Sequence, residues 1–170
     1  MKRPEPSEYG EYYRPYVSSV PPGDIVEILE AQGRKSALFL AKIDEHTSRY
    51  RYAESKWSIR EVICHLTDAE RIFLNRAVRF ARNDTTPLPG FDENAYVADS
   101  GADALSLVAL AEDFRNVRAA SVSFFRLITD EQSLRSGIAC DNPFSVRSLA
   151  YIIVGHEIHH MNVIRDRYLA

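Results

Sequence analysis

The sequence is poor in anything that could hold a small chain together except a packed interior. It has two cysteines, one tryptophan and seven glycines in 170 residues. Cys64 and Cys140 lack the C-x-x-C spacing of metal and redox motifs, so they read as free thiols. An excess of cations is missing as well. Twenty-one basic residues face 24 acidic ones, for a formal net charge of −3. Such a balance argues against general nucleic-acid binding and against a polybasic membrane anchor. Long apolar runs are absent: the longest, Leu149 to Val154, has six residues, against the ~18 that suggest a membrane span. The start, Met1-Lys2-Arg3-Pro4-Glu5-Pro6, has no apolar signal core, and the expected location is the cytoplasm. Strand alternation with matching hairpin turns is not visible either. What remains, 45% hydrophobic and 26% charged residues, fits an ordinary globular domain.

Residues 1–23 read as an arm. Five prolines (Pro4, Pro6, Pro15, Pro21 and Pro22) block a regular helix, and Tyr9, Tyr12, Tyr13 and Tyr16 supply aromatic surface to lay against the body. Residues 24–170 read as one domain of four long helices. The first runs from Asp24, its N-cap, to about Thr47, with Gly33 placed to allow a close helix contact. A second spans Ser58 to about Arg82. Ser58-Ile59-Arg60-Glu61 is a capping box, and Trp57 before it can staple onto Val62. The third runs from about Asp103 to Thr129, with Leu105 and Val108 among its apolar face. The fourth runs from Ser145 to about Leu169. The fold class is therefore all-α, a four-helix bundle. Joining the second and third helices, residues 83–102 far exceed the ~2–8 residues usual between bundle helices.

Five histidines carry the chemistry: His46, His65, His156, His159 and His160. On a helical projection His156 and His160 fall within about 40° of each other on the core-facing stripe of the fourth helix. One turn apart, their Cβ atoms lie ~5–6 Å from each other, close enough to share a metal ion. His65 sits at the edge of the buried arc of the second helix. A metal satisfies several inward imidazoles at once, and three histidines with an open fourth position are a catalytic type of site. His159 falls about 100° from His160, on the helix flank, and His46 lies among polar residues. The segment also spells H-E-x-x-H, but Glu157 projects about 100° from His156, off the stripe, which counts against a zincin-like protease.

With these residues in view, the sequence resembles the DinB/YfiT-like family. The likeness is strongest over Lys56-Trp57-Ser58-Ile59-Arg60-Glu61-Val62-Ile63-Cys64-His65-Leu66-Thr67-Asp68-Ala69-Glu70-Arg71. It is also clear in Pro87-Leu88-Pro89-Gly90-Phe91-Asp92-Glu93 and Gly155-His156-Glu157-Ile158-His159-His160. The resemblance implies a four-helix bundle with long crossover connections and the metal ligands His65, His156 and His160. It also implies zinc or nickel as the ion, and a homodimer. Characterised relatives in that superfamily act with thiols, as bacillithiol or mycothiol S-transferases and a mycothiol-dependent maleylpyruvate isomerase. The expected function is a metal-dependent enzyme, S-transferase-like or hydrolytic, acting on a small electrophile. The alternative is a non-catalytic dimeric metal-binding, sensor or stress-response module.

Neighbouring side chains complete the expectation. Asp68, one turn beyond His65, would orient that histidine or take a proton. Arg76 would pair with Glu70 or another acid, or else hold a substrate carboxylate. Cys64 points away from the metal, and Cys140 sits in a loop with no basic neighbour. Tyr12, Tyr13 and Tyr16 are expected to pack on the bundle, where they could line the pocket. Tyr151 and Ile158 project opposite the histidines and read as exposed apolar positions favouring association.

Overall fold

Side chains that accept hydrogen bonds from the first free amides set the helix starts in this chain. In the computed structural model, which describes residues 1–170, Asp24 takes the amides of Val26 and Glu27, and α2 follows as Ile25–Leu40. The short α1, Arg14–Ser19, precedes it in the arm. Ser58 and Glu61 form both halves of the expected capping box and open α3, Ile59–Ala81. Asp92 caps α4, Glu93–Asp99. Ser106 caps α5, Leu107–Arg126, and Ser145 caps α7, Val146–Val163, which runs on into a π-helical turn over Ile164–Tyr168. The four-residue α6, Asp130–Ser133, sits between α5 and α7.

Two boundaries differ from the sequence expectation. The first long helix stops at Leu40, short of Thr47, because Asp44 takes the amides of His46 and Thr47 and turns the chain. The third begins at Leu107 rather than Asp103. Asp103 is drawn away by the Ser58 hydroxyl at 2.6 Å and by Arg51. That shift of start puts Leu107 and Leu110 inside and leaves Leu105 and Val108 exposed. Ahead of α7 there is also an antiparallel hairpin that periodicity did not show, β1 Ser136–Ala139 with β2 Asn142–Ser145, in the register Ser136↔Ser145 to Ala139↔Asn142. Its two-residue turn, Cys140-Asp141, holds both residues at positive φ, +49° and +59°. Turns of that kind usually carry Asn-Gly or Asp-Gly, so the usual signal was missing.

The bundle proper is α2, α3, α5 and α7. Both α2 and α3 pack on α5 and α7, so α2 lies diagonally across from α3, and α5 from α7. The links that cross a diagonal are therefore residues 41–58 and 127–145, whereas the long segment that carries α4 joins the neighbours α3 and α5. The interior divides into two apolar clusters. One gathers the α3 residues Ile59–Leu66 with Phe114, Met161 and Ile164; the other gathers Phe73–Ala81 with Leu29, Phe125 and Leu149–Val154. Between them every bundle helix contributes polar residues: Gln32, His65 with Glu70, Arg118, and His156 with Glu157.

The arm lies along α7. Arg3 donates to the carbonyls of Val17 at 2.7 Å and Val20 at 2.6 Å, and its guanidinium sits over the Tyr151 ring. Tyr151 is thus buried and Ile158 half-buried, contrary to the exposed apolar face expected of them. Gly155 lets the arm come this close: a Cβ there would meet the Tyr16 carbonyl oxygen at 2.0 Å. No helix is long and apolar enough to cross a membrane.

Candidate metal centre

Helix periodicity brings three imidazoles to one point in the polar layer. His65 reaches in from α3, and His156 and His160 reach in from successive turns of α7. Nε2 of His156 lies 3.1 Å from Nε2 of His65 and 3.1 Å from Nε2 of His160. One ligand atom from each falls within 4.8 Å of the others. Tetrahedral coordination at Zn–N distances of ~2.0–2.1 Å places nitrogens ~3.3 Å apart, so the spacing suits a single small cation. The donor chemistry fits too. Only one hydrogen can lie between any two of these nitrogens, whereas a cation can accept all three lone pairs.

Burial keeps those lone pairs free. Desolvation pushes His65 down to about 4. His160 is pushed down to about 3 by burial first, then by His65 and His159. His156, the most enclosed, is held well below the ordinary imidazole range by burial and then by the other histidines. All three are neutral near pH 7, the form a metal requires.

Aromatic rings wall the cluster. Trp57, just ahead of the α3 cap, lies 4.9 Å from the His65 ring. Phe73 meets His156 edge-on at 6.1 Å, and Tyr16 of the arm meets His156 at 5.4 Å and His159 at 5.6 Å. His160 is half-buried and His159 exposed, which leaves that side of the cluster reachable. Sequence reasoning did not single out Trp57 and Phe73 as walls.

Other expected participants are elsewhere. Asp68 makes no hydrogen bond to His65 and so does not orient that histidine. Its carboxylate is engaged by Arg71 at 3.2 Å and faces the Cys64 thiol at 3.8 Å. Arg76 does not pair with Glu70, because Arg118 has taken that carboxylate. Arg76 instead donates to the Pro89 carbonyl and to the Cys140 sulfur, both at 3.1 Å, so Cys140 does have a basic neighbour. His46 is exposed in the turn after α2.

The residue that sequence reasoning missed is Arg118. Its signal was a charge on the inward stripe of α5, one turn past Phe114. From there it donates to Glu70 through Nε at 2.9 Å and Nη2 at 2.8 Å, and to Glu157 through Nη1 at 2.6 Å. Burial works against its charge, but Glu157 and Glu70 outweigh burial and raise its pKa. Gly33 of α2 makes the room: a Cβ there would stand 2.6 Å from Cγ of Arg118. Gln32 adds a bond to Glu157 at 2.9 Å. The glutamate of H-E-x-x-H is thus committed to a structural tie across the bundle, and a zincin arrangement is excluded.

These features agree with what the chain resembles. A profile of the DinB superfamily matches residues 28–164. Among solved structures, YfiT from Bacillus subtilis, described as a probable metal-dependent hydrolase with an unusual four-helix bundle topology, superposes with a TM-score of 0.71 at 18% identity, covering 97% of this chain and 90% of that one. No curated protein sequence matches. With its diagonal bundle and most of its length matched, the chain belongs to the DinB superfamily.

Proposed function

We propose that this chain is a metal-dependent enzyme that activates water or a small thiol against a compact electrophilic substrate, with zinc or nickel held by His65, His156 and His160. The observation that carries this reading is the convergence of three neutral Nε2 atoms from two helices, with no protein carboxylate or thiol among them. A bound divalent ion supplies Lewis acidity and lowers the pKa of a water or thiol in its vicinity.

The rest is the work of the chain. Trp57, Phe73 and Tyr16 surround the imidazoles with rings that limit the competing water. The tie of Glu70, Arg118 and Glu157 fixes the rotation of α3 against α7, and with it the direction of His65 and His156. His159 stands edge-on to both Tyr16 and His160 at the exposed rim, bordering the way in to the imidazoles. The neighbour YfiT favours the hydrolytic branch; the thiol branch rests on the family resemblance.

The deciding experiment loads the purified protein with zinc or nickel. It then follows loss of a panel of small esters, amides and alkyl halides in buffer alone and with added cysteine, glutathione or bacillithiol. Turnover without thiol supports hydrolysis, and turnover only with thiol supports transfer. A loaded protein that turns over nothing in either arm favours the non-catalytic binding module instead.

A further inference from the structure

Of the three arginines buried in this fold, Arg76 alone has no acid. Arg60 has Glu45, and Arg118 has Glu70 and Glu157. Arg76 is 2% exposed and forms no salt bridge, and its Nη1 has no hydrogen-bond partner. Its Nη2 donates to the Pro89 carbonyl and to the Cys140 sulfur, and the Tyr13 hydroxyl lies nearby. The Phe73 and Phe144 rings flank the guanidinium, each centroid 5.8 Å from Cζ. Aromatic faces soften the desolvation of a buried cation, but they do not replace the counter-ion that such a charge demands.

The position of Arg76 suggests what that counter-ion is. Phe73 lies against both Arg76 and His156, so the arginine and the histidine cluster border the same ring. Tyr13 meets Phe73 at 6.1 Å and Tyr16 at 6.3 Å, continuing this aromatic wall back to His156. Arg76 is capped by Pro89, in the segment after α3, and by Cys140 of the hairpin turn. Two backbone bonds between Leu88 and the hairpin join these two segments. Pro89, Gly90 and Asp141 are exposed and Cys140 is half-buried.

We propose that Arg76 is a carboxylate-binding subsite, and that the substrate is a small carboxylic acid whose reacting end lies at the histidines. The substrate assignment rests on the metal-dependent reading above; the anion site itself does not. The planar guanidinium fork matches a planar carboxylate in two parallel N–H···O bonds, and the Phe73 and Phe144 rings beside it leave room for a flat group rather than a tetrahedral one. The carboxylate takes the free Nη1 hydrogens and displaces the Cys140 thiol from Nη2. The Pro89 segment parts from the hairpin turn to admit it.

The test uses metal-stripped protein, so that added anions cannot act through an ion on the histidines. Thermal unfolding is followed with sodium acetate, sodium benzoate, sodium phosphate or sodium chloride at equal ionic strength. Acetate or benzoate should raise the midpoint saturably, and phosphate and chloride should not. In R76M the carboxylate effect should vanish. In R76K, which keeps the charge but loses the fork, the half-saturating concentration should rise at least tenfold. R76K decides the matter if R76M does not fold. No carboxylate effect in the wild type, an effect that phosphate reproduces, or an unchanged half-saturating concentration in R76K overturns the proposal. Those failures leave metal binding by the histidines standing, and a chain that takes up no metal leaves the anion result intact.

Discussion

Gly155 sets two opposed effects against each other, and their sizes say which wins. In the interior of α7 a Gly→Ala change should stabilise the helix by ~1 kcal/mol, through backbone entropy. The new methyl, however, would stand 2.0 Å from the carbonyl oxygen, 2.4 Å from the carbonyl carbon and 2.7 Å from the Cα of Tyr16. These are backbone atoms, so no rotamer change relieves the contact, and α1 must move outward by more than 1 Å to reach an ordinary separation of ~3.5 Å. Overpacking of this kind costs ~1–3 kcal/mol. The displaced arm also loosens Val17 and Val20, buried at 2% and 3% exposure; complete burial of one such side chain contributes ~1.5–3 kcal/mol. The clash therefore exceeds the helix gain, with a net loss of about 2 kcal/mol and a fall of about 4–8 °C in Tm for a chain of this size. The assay is thermal and urea unfolding of Gly155→Ala, with chymotryptic cleavage after Tyr13 as a reporter of arm release. A variant as stable as the wild type, with cleavage no faster, would refute the account of how the arm is seated.

Further outcomes follow from the polar layer. His65→Ala, His156→Ala and His160→Ala should each lose most bound zinc or nickel by elemental analysis, while His159→Ala and His46→Ala keep it. A metal-free His159→Ala beside a loaded His160→Ala would reverse the assignment. Arg118→Ala leaves Glu70 and Glu157 buried without their cation and should cost ~3–5 kcal/mol in urea unfolding; a loss below ~1 kcal/mol contradicts the tie. In metal-stripped protein the histidines hold protons less tightly when folded than when unfolded. Stability should then be complete above the unfolded value of ~6.5 and fall as the pH drops through it, continuing towards the folded value of about 4 for His65; a melting temperature flat from pH 7 to pH 4 counts against that burial. Zinc at 100-fold excess over its Kd should restore ~2.7 kcal/mol, read as a rise in Tm that a chelator reverses.

What the sequence alone determined is what depends on near neighbours in the chain. The capping box at Ser58, the bundle of long helices, and the inward direction of His65, His156 and His160 all follow from helix periodicity and from caps within three or four residues. The close approach allowed by Gly33 was also legible, though not that Arg118 would fill it. Tertiary structure decided whatever depends on which helices become neighbours. Arg118 could be recognised as the clasp between Glu70 and Glu157 only once α5 was known to face α3, and α3 to face α7. Tyr151 looked exposed on its own helix, since its cover comes from Arg3 and the arm, nearly the whole chain away. The hairpin escaped because its turn uses Cys140 and Asp141 where glycine or asparagine is usual, and the same turn delivers the Cys140 thiol to Arg76, 64 residues distant. Local periodicity fixes the direction in which a side chain points along its own element; the partner it meets there is fixed by the packing of the whole chain.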